Sequence, residues 1–173
     1  MKKTFAIAAA AAMWLSASQV FASELISDEP NHHLNQTETE IHAVLGFGDL
    51  GAGFRVGIPI VKQGFISTIN NNVAIDFGAD ILNWPAPDFG VTGVVVPAML
   101  QWNFYLTRDW SVFGEAGVAF QDWFSQRASG DNQTFFIWPG MSLGARYYLN
   151  PGKYPDLILR IGYPSGLSVG IGF

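Results

Sequence analysis

Charged side chains recur at alternating positions in the apolar segments of this chain, and they are the residues best able to do chemistry. Glu40 and His42 stand two positions apart, and Asp76 and Asp80 stand four apart. Successive side chains of a strand point to opposite faces, so residues at these spacings share one face. Buried together, such groups form either a closed ion-pair network or a narrow path for ions. The charged residues that fall on the face opposite the apolar side chains, here called the inward parity, are Glu40, His42, Arg55, Asp76, Asp80, Glu115, Arg146 and Arg160.

Catalytic and metal chemistry find little support in the sequence. His32 and His33 are adjacent, so in an extended segment they point opposite ways and cannot both reach one ion. A Ser-His-Asp arrangement would have to recruit His42, the only other histidine, and no motif around it supports that role. The absence of cysteine excludes a disulfide framework and thiolate chemistry. We therefore expect no enzyme activity, no metal and no cofactor.

The chain begins with the pattern of an export signal. Lys2 and Lys3 precede an apolar run that is too short to cross a bilayer, and small residues at Val20 and Ala22 fit a cleavage site. We divide the chain into a signal peptide (1–22), a polar N-terminal arm (23–39) and one domain (40–173). Without Lys2 and Lys3, seven basic residues remain against 14 acidic ones. An acidic exported chain has no electrostatic reason to bind nucleic acid.

From residue 40 onward the sequence alternates with the period of a β-strand. Eight such segments are separated by turn residues, and apolar residues occupy every second position of each segment. We predict longer loops at residues 83–93 and 122–133, both of which carry aromatic residues. An even number of strands places both chain ends on one side. The pattern predicts an all-β fold, an eight-stranded antiparallel transmembrane barrel with up-and-down topology.

If the apolar set faces lipid, the charged set faces the interior, where a charge avoids the free-energy penalty of the bilayer. Trp102, Phe104 and Trp110 then flank a short turn on the outer face and are predicted to form an interfacial aromatic girdle. The same alternation also fits a soluble barrel turned inside out, with the charges in water and the apolar set in a core.

The last strand carries a separate signal. Its apolar positions alternate with Gly or Ser, and it stops on an aromatic residue, which is typical of the closing strand of an outer-membrane barrel. The apolar positions, predicted to act as an assembly signal, are Leu167, Val169, Ile171 and Phe173.

Several segments resemble known small barrels of bacterial outer membranes. Residues 101–106 (Gln-Trp-Asn-Phe-Tyr-Leu), 110–117 (Trp-Ser-Val-Phe-Gly-Glu-Ala-Gly) and 144–149 (Gly-Ala-Arg-Tyr-Tyr-Leu) are similar to strands of the OmpA/OmpX/opacity-type superfamily. The resemblance covers residues 40–173 as architecture and carries no catalytic motif. It implies an outer-membrane protein of a Gram-negative bacterium, with both termini in the periplasm. The short predicted loops depart from the long variable loops of adhesins.

These observations favour a small outer-membrane barrel with a charged, plugged lumen and a structural or surface-interaction role. The interior of eight strands is just wide enough for side chains to fill, which favours the plug. A narrow, porin-like channel for ions or small apolar molecules is the alternative, and a soluble periplasmic lipocalin-like binding protein is the second. Expected partners are outer-membrane lipids and lipopolysaccharide, and the barrel-assembly machinery through the C-terminal strand. The sequence names no surface partner.

Overall fold

A computed structural model describes residues 36–84, 91–107, 109–125, 132–150 and 153–173. The predicted signal peptide and most of the predicted arm lie outside these residues. Eight strands make up the fold, and no helix among the described residues is long and apolar enough to cross a membrane. The strands are β1 Glu38–Leu45, β2 Leu50–Val61, β3 Asn71–Trp84, β4 Val91–Tyr105, β5 Trp110–Ser125, β6 Asn132–Asn150, β7 Lys153–Tyr163 and β8 Gly166–Gly172.

The strands close into a barrel in which each one pairs with its neighbours in sequence. Every pairing is antiparallel, and β1 pairs with β8 through Ile41 opposite Ile171. The start of β1 and the end of β8 therefore lie at one end of the barrel, called here the terminal end. At the opposite end, called the far end, β1 turns into β2 and β7 turns into β8, and strands β3 and β5 end there. The predicted eight-stranded, up-and-down barrel is confirmed.

The strands near the far end are longer than the sequence predicted. We predicted loops at 83–93 and 122–133, but residues 83–84, 91–93, 122–125 and 132–133 belong to strands. The remaining residues of both predicted loops lie outside the described residues. Polar residues typical of loops pair across this ladder, as where Thr92 Oγ1 donates a 3.1 Å hydrogen bond to Asn83 Oδ1. At the terminal end, β1 begins at Glu38, two residues before the predicted boundary, and β3 takes in two residues of the predicted Asn-rich loop.

Side-chain direction follows the predicted parity. Outward apolar residues are widely exposed, with Leu143 at 68% and Ile161 at 63%. Val73 is an exception, since only 5% of it is exposed although its parity is outward. It stands opposite Trp102 in the β3–β4 ladder, and the Trp102 ring packs edge-on against Phe65, so large rings cover this part of the wall.

Two tight turns at the far end depend on glycine. Gly48 (φ 112°) and Gly166 (φ 85°) both adopt the left-handed conformation that other residues rarely tolerate. Gly166 lets β7 reverse into β8 within two residues. Asp49 lies beside Gly48, and burial in this turn raises the pKa of its carboxyl group.

Candidate lumen charge network

The barrel interior holds all eight charged residues that the sequence singled out. The strands bring them together because inward positions of adjacent strands stack in the pleat. Each has at most 7% of its surface exposed, although they come from six different strands. Buried charges persist only when paired, so the interior must supply partners for them.

Asp80 on β3 is the centre of one cluster. The Arg55 guanidinium donates two hydrogen bonds to its carboxylate, of 2.6 Å to Oδ1 and 2.8 Å to Oδ2. His42 Nε2 lies 2.9 Å from Oδ1, and Ser165 Oγ in the β7–β8 turn donates a 2.7 Å hydrogen bond to Oδ2. The cluster thereby fastens β1, β2 and the last turn to β3.

Arg160 on β7 joins two carboxylates across the lumen. Its Nη1 donates a 2.9 Å hydrogen bond to Glu40 Oε1, and its Nε lies 3.2 Å from Glu115 Oε2. Glu115 also accepts a 2.7 Å hydrogen bond from Gln101 Nε2 and a short one from the Ser142 hydroxyl. Glu115 on β5 therefore has partners on β4, β6 and β7.

Arg146 on β6 connects the network to the terminal end. Its Nε lies 2.7 Å from Glu38 Oε1, and its Nη1 donates a 3.2 Å hydrogen bond to Asn103 Oδ1. The Phe113 ring lies 5.1 Å from the guanidinium carbon of Arg146 and at the same distance from that of Arg160. Both cations are thus within range of a favourable interaction with one aromatic ring.

Some interior carboxylate oxygens have no hydrogen-bond partner. Asp156, which is fully buried, has none at either oxygen, and Asp76 has none at Oδ1, which lies 3.7 Å from Arg55 Nε. The described interior acids number six, since Glu38 and Asp156 join the four predicted ones, and only three arginines and His42 face them. The described interior therefore holds more acidic than basic side chains.

An apolar layer closes the lumen above the charges, towards the far end. It consists of Val44, Leu82, Val95 and Ala119, each no more than 1% exposed, with Trp123 packed against them. No charged side chain belongs to this layer, so an ion crossing it would lose its hydration without compensation.

The spaces left within the network are small. A cavity of about 20 Å³ lies beside Arg55, Glu115 and Arg160, and one of about 10 Å³ lies beside Glu38, Asp76 and Arg146. A single water molecule needs roughly 10–15 Å³ of such volume. These two cavities thus have room for isolated waters only.

His42 is placed for ion pairing. Its Nδ1 lies 3.3 Å from Glu40 Oε1 and its Nε2 lies 2.9 Å from Asp80 Oδ1, so carboxylates face both ring nitrogens. The nearby Ser165 hydroxyl donates to Asp80 rather than to His42. Among the described residues no group of three or more His, Asp or Glu side chains is arranged to hold a metal ion.

The predicted girdle residues lie on the outer face near the terminal end. Trp102 and Phe104 pack with ring centroids 4.9 Å apart, and Trp110 packs on Tyr147 at 4.8 Å. Trp102 Nε1 also donates a 2.9 Å hydrogen bond to Asn71 Oδ1. Trp102 thus combines a ring contact with a polar contact. The role of these residues as an interfacial girdle stays a prediction.

The four predicted assembly-signal residues point outward along β8, with Val169, Ile171 and Phe173 each 44–53% exposed. Phe173 lies just past the strand, and its backbone exchanges two hydrogen bonds with Thr39, of 2.8 and 2.9 Å. This contact closes the barrel at the terminal end. The role of these residues in assembly stays a prediction.

Sequence reasoning missed several partners of the network. The sequence pattern assigns Glu38 to the polar arm, and our predicted charged set omits Asp156 although it shares the inward parity of Arg160. The same parity would have found both. Phe113 and Ser165 carry no such signal, because one is apolar on a polar face and the other belongs to a turn.

No protein-family model matches the chain, and no curated protein matches it. Among solved structures, the N-terminal β-barrel domain of Pseudomonas aeruginosa OprF superposes with a TM-score of 0.53 at 17% identity, covering 80% of this chain and 98% of that one. The chain has the fold of that barrel. At this identity the likeness concerns the fold alone, and at that level the resemblance to small eight-stranded barrels is confirmed.

Proposed function

We propose that this protein is a small outer-membrane barrel whose lumen is closed and whose function is exerted from its surface. The closed lumen is the observation that carries the proposal. The apolar layer of Val44, Leu82, Val95 and Ala119 seals one part, and the ion pairs of Arg55 and Arg160 fill the rest. A barrel without a path through it serves as a membrane anchor and a display surface.

The outer surface supports the membrane placement. Large apolar side chains on every strand are widely exposed while the charges lie inside, which is the order expected in lipid and the reverse of a soluble barrel. The soluble lipocalin-like alternative needs the apolar set inside, and it lies outside. The predicted signal peptide and the outward apolar residues of β8 fit export and insertion by the barrel-assembly machinery. Lipids and lipopolysaccharide are then the natural surroundings.

We also propose a role without catalysis. The support is the position of His42, which carboxylates enclose at both ring nitrogens. A histidine held in this way stabilises the fold and does not activate a hydroxyl.

Conductance in a planar bilayer tests the closed lumen. The mature protein is folded in detergent, its folding is checked by heat-modifiable gel mobility, and it is then inserted. We expect no current steps from the folded barrel, because the apolar layer and the paired charges leave only water-sized spaces.

Reproducible steps would overturn this proposal and favour the narrow channel. The excess of interior acids would then predict cation selectivity. Arg160→Ala separates a current through the lumen from leakage around the barrel, because it removes the cation between Glu40 and Glu115. Only a current through the lumen changes with this variant.

A further inference from the structure

An apolar groove of about 700 Å³ lies in the outer wall of the barrel and crosses β4, β5, β6 and β7. At its centre are Gly114 and Ala116, two outward positions of β5 with little or no side chain. A methyl group added at Gly114 would meet only Leu143, at 3.6 Å, so the space above this residue is open. The space over Gly114 and Ala116 is called here the recess.

Larger side chains border the recess on both sides. On β4, Leu100 and Trp102 are the ladder partners of the two small residues. On β6, Met141 and Leu143 are their partners on the other side. All four large residues line the groove. The recess is therefore a bounded hollow and not a flat stretch of wall.

The border on the β6 side protrudes most. Leu143, Ile161 and Met141 are 68%, 63% and 62% exposed, the highest values among the large apolar side chains of the described strands. Ile161 on β7 is the ladder partner of Leu143. These three residues are called here the protrusion. Ladder partners are about 4.8 Å apart, so at a strand tilt of about 40° the recess and the protrusion lie within roughly 3 Å of the same height.

A two-fold axis between the recess and the protrusion makes this surface complementary to itself. Two copies inserted in one membrane share their orientation, so the axis that relates them runs along the membrane normal. Rotation about such an axis keeps every residue at its height. The protrusion of each copy then faces the recess of the other, which is the isologous contact of a symmetric dimer.

We infer that this part of the wall is the contact surface of a homodimer, an inference that rests on the proposed membrane placement. Leu143 of each copy packs over Gly114 of the other. Lipid tails are as apolar as leucine, so two apolar walls associate in a bilayer through close packing and not through the hydrophobic effect. Small residues at the contact let the two backbones approach, and the recess supplies them.

The size of the contact predicts a weak dimer. An apolar band about 25 Å tall and a width of three strand spacings of about 4.8 Å give a face of roughly 360 Å² in flat projection. A face of this size belongs at the lower end of specific interfaces, which bury less than about 1,200 Å² in total. The fit of the protrusion in the recess therefore decides whether two copies stay together.

A lipid tail is the competing occupant of the recess. It would fill the hollow, but it gains nothing from the protrusion that stands beside it. A second copy uses both features, because each copy brings one protrusion and one recess. A monomeric barrel with a lipid tail in the recess is the alternative outcome of the test.

Disulfide formation between introduced cysteines tests the contact, since the chain has no cysteine of its own. The full mature chain is prepared with Gly114→Cys and, separately, with Leu143→Cys, and the two are inserted together into liposomes. The control pair is Ala43→Cys with Ala52→Cys, which are exposed ladder partners on the opposite wall. We expect the first pair to cross-link at least about fivefold faster, because contact raises the effective concentration of the two thiols.

Energy transfer between labelled copies measures the affinity. Donor and acceptor dyes are attached to Ser67→Cys, in the exposed turn after β2, and the copies are mixed at decreasing ratios of protein to lipid. Ala116→Leu fills the recess and should weaken the dimer about fivefold or more. Ala52→Leu makes the same change on the opposite wall and should leave the affinity within about twofold. Heat-modifiable gel mobility checks that both variants are folded.

Three outcomes would overturn the inference. They are equal cross-linking of both cysteine pairs, energy transfer no greater than that of randomly distributed monomers, and an affinity that Ala116→Leu leaves unchanged. Insertion into liposomes without selective cross-linking rejects only the dimer. Failure to insert rejects the membrane role, and the same cross-linking comparison in detergent then decides the dimer by itself.

Discussion

Asp80 shows at the residue scale why charges can lie inside this barrel. Its carboxylate contacts Arg55, His42 and Ser165, so both of its oxygens are occupied. Removing one partner of a buried ion pair leaves an uncompensated charge, which is more destabilising than the pair itself is stabilising. We therefore expect the largest loss of stability when only one partner of an ion pair in this network is replaced.

Arg55→Met is the substitution that tests this point. It keeps the apolar stem but strips two hydrogen bonds from Asp80 and removes the cation that lies 3.7 Å from Asp76 Oδ1. We expect the free energy of unfolding to fall by about 3–5 kcal/mol. Urea unfolding of the folded barrel, followed by gel mobility, measures this change.

Lys62→Met is the control for that measurement, since Lys62 is an exposed cation just past the end of β2. Its loss should change the free energy of unfolding by less than about 1 kcal/mol. An equally small effect of both substitutions would mean that the interior charges are solvated rather than paired.

At the scale of the elements, glycines on inward positions make room for the bulky side chains of neighbouring strands. Gly144 on β6 pairs with Phe113 on β5, and a methyl group at Gly144 would collide with the Phe113 ring. That ring lies against both Arg146 and Arg160. The position of two cations thus depends on the absence of one side chain.

Gly144→Ala should lower the free energy of unfolding by about 1–3 kcal/mol, because the ring must shift and displace the cations on it. Gly114→Ala is the matched control in the same ladder, since its added methyl group would meet only Leu143, at an ordinary 3.6 Å. Thermal or urea unfolding of the two variants compares them. Equal losses would show that backbone freedom rather than space is what these glycines supply.

At the scale of the whole molecule, the barrel is an apolar shell around a polar interior, and its height varies around the circumference. β1 and β8 have 8 and 7 residues, whereas β5 and β6 have 16 and 19. The long strands project at the far end. Two side chains on the outer face can therefore be equally exposed in the structure, while one faces lipid and the other faces water in the proposed membrane placement.

A pair of lipid-depth substitutions tests the proposed membrane placement. Leu159→Arg puts a charge on the outer face near the middle of β7, and Ile137→Arg puts one on the projecting part of β6; the native residues are 51% and 60% exposed. In liposomes we expect a loss of about 2–4 kcal/mol for the first and 0–1 kcal/mol for the second. Unfolding from liposomes measures both, and equal small losses would argue against a bilayer around the barrel.

Much of the fold follows from the sequence alone. Alternation with period two assigns the strands, and the position of charges such as Arg160 and Glu115 on one parity assigns the inner face, because each strand carries this information locally. The even number of strands and the role of the last strand in closing the barrel could likewise be predicted from the sequence. The predicted loops were too long because ladder pairing, rather than local composition, decides where a strand ends.

The sequence by itself determined which side chains enter the barrel, since parity along a strand is a local property. Only the tertiary structure decided which of them meet, because the stagger between strands sets the height at which each inward residue stands. Stagger places Arg55 against Asp80 rather than Glu115, and it leaves the upper part of β6 without a second neighbour. Both the ion pairing inside and the unpaired stretch of β6 are properties of the closed barrel and of no single strand.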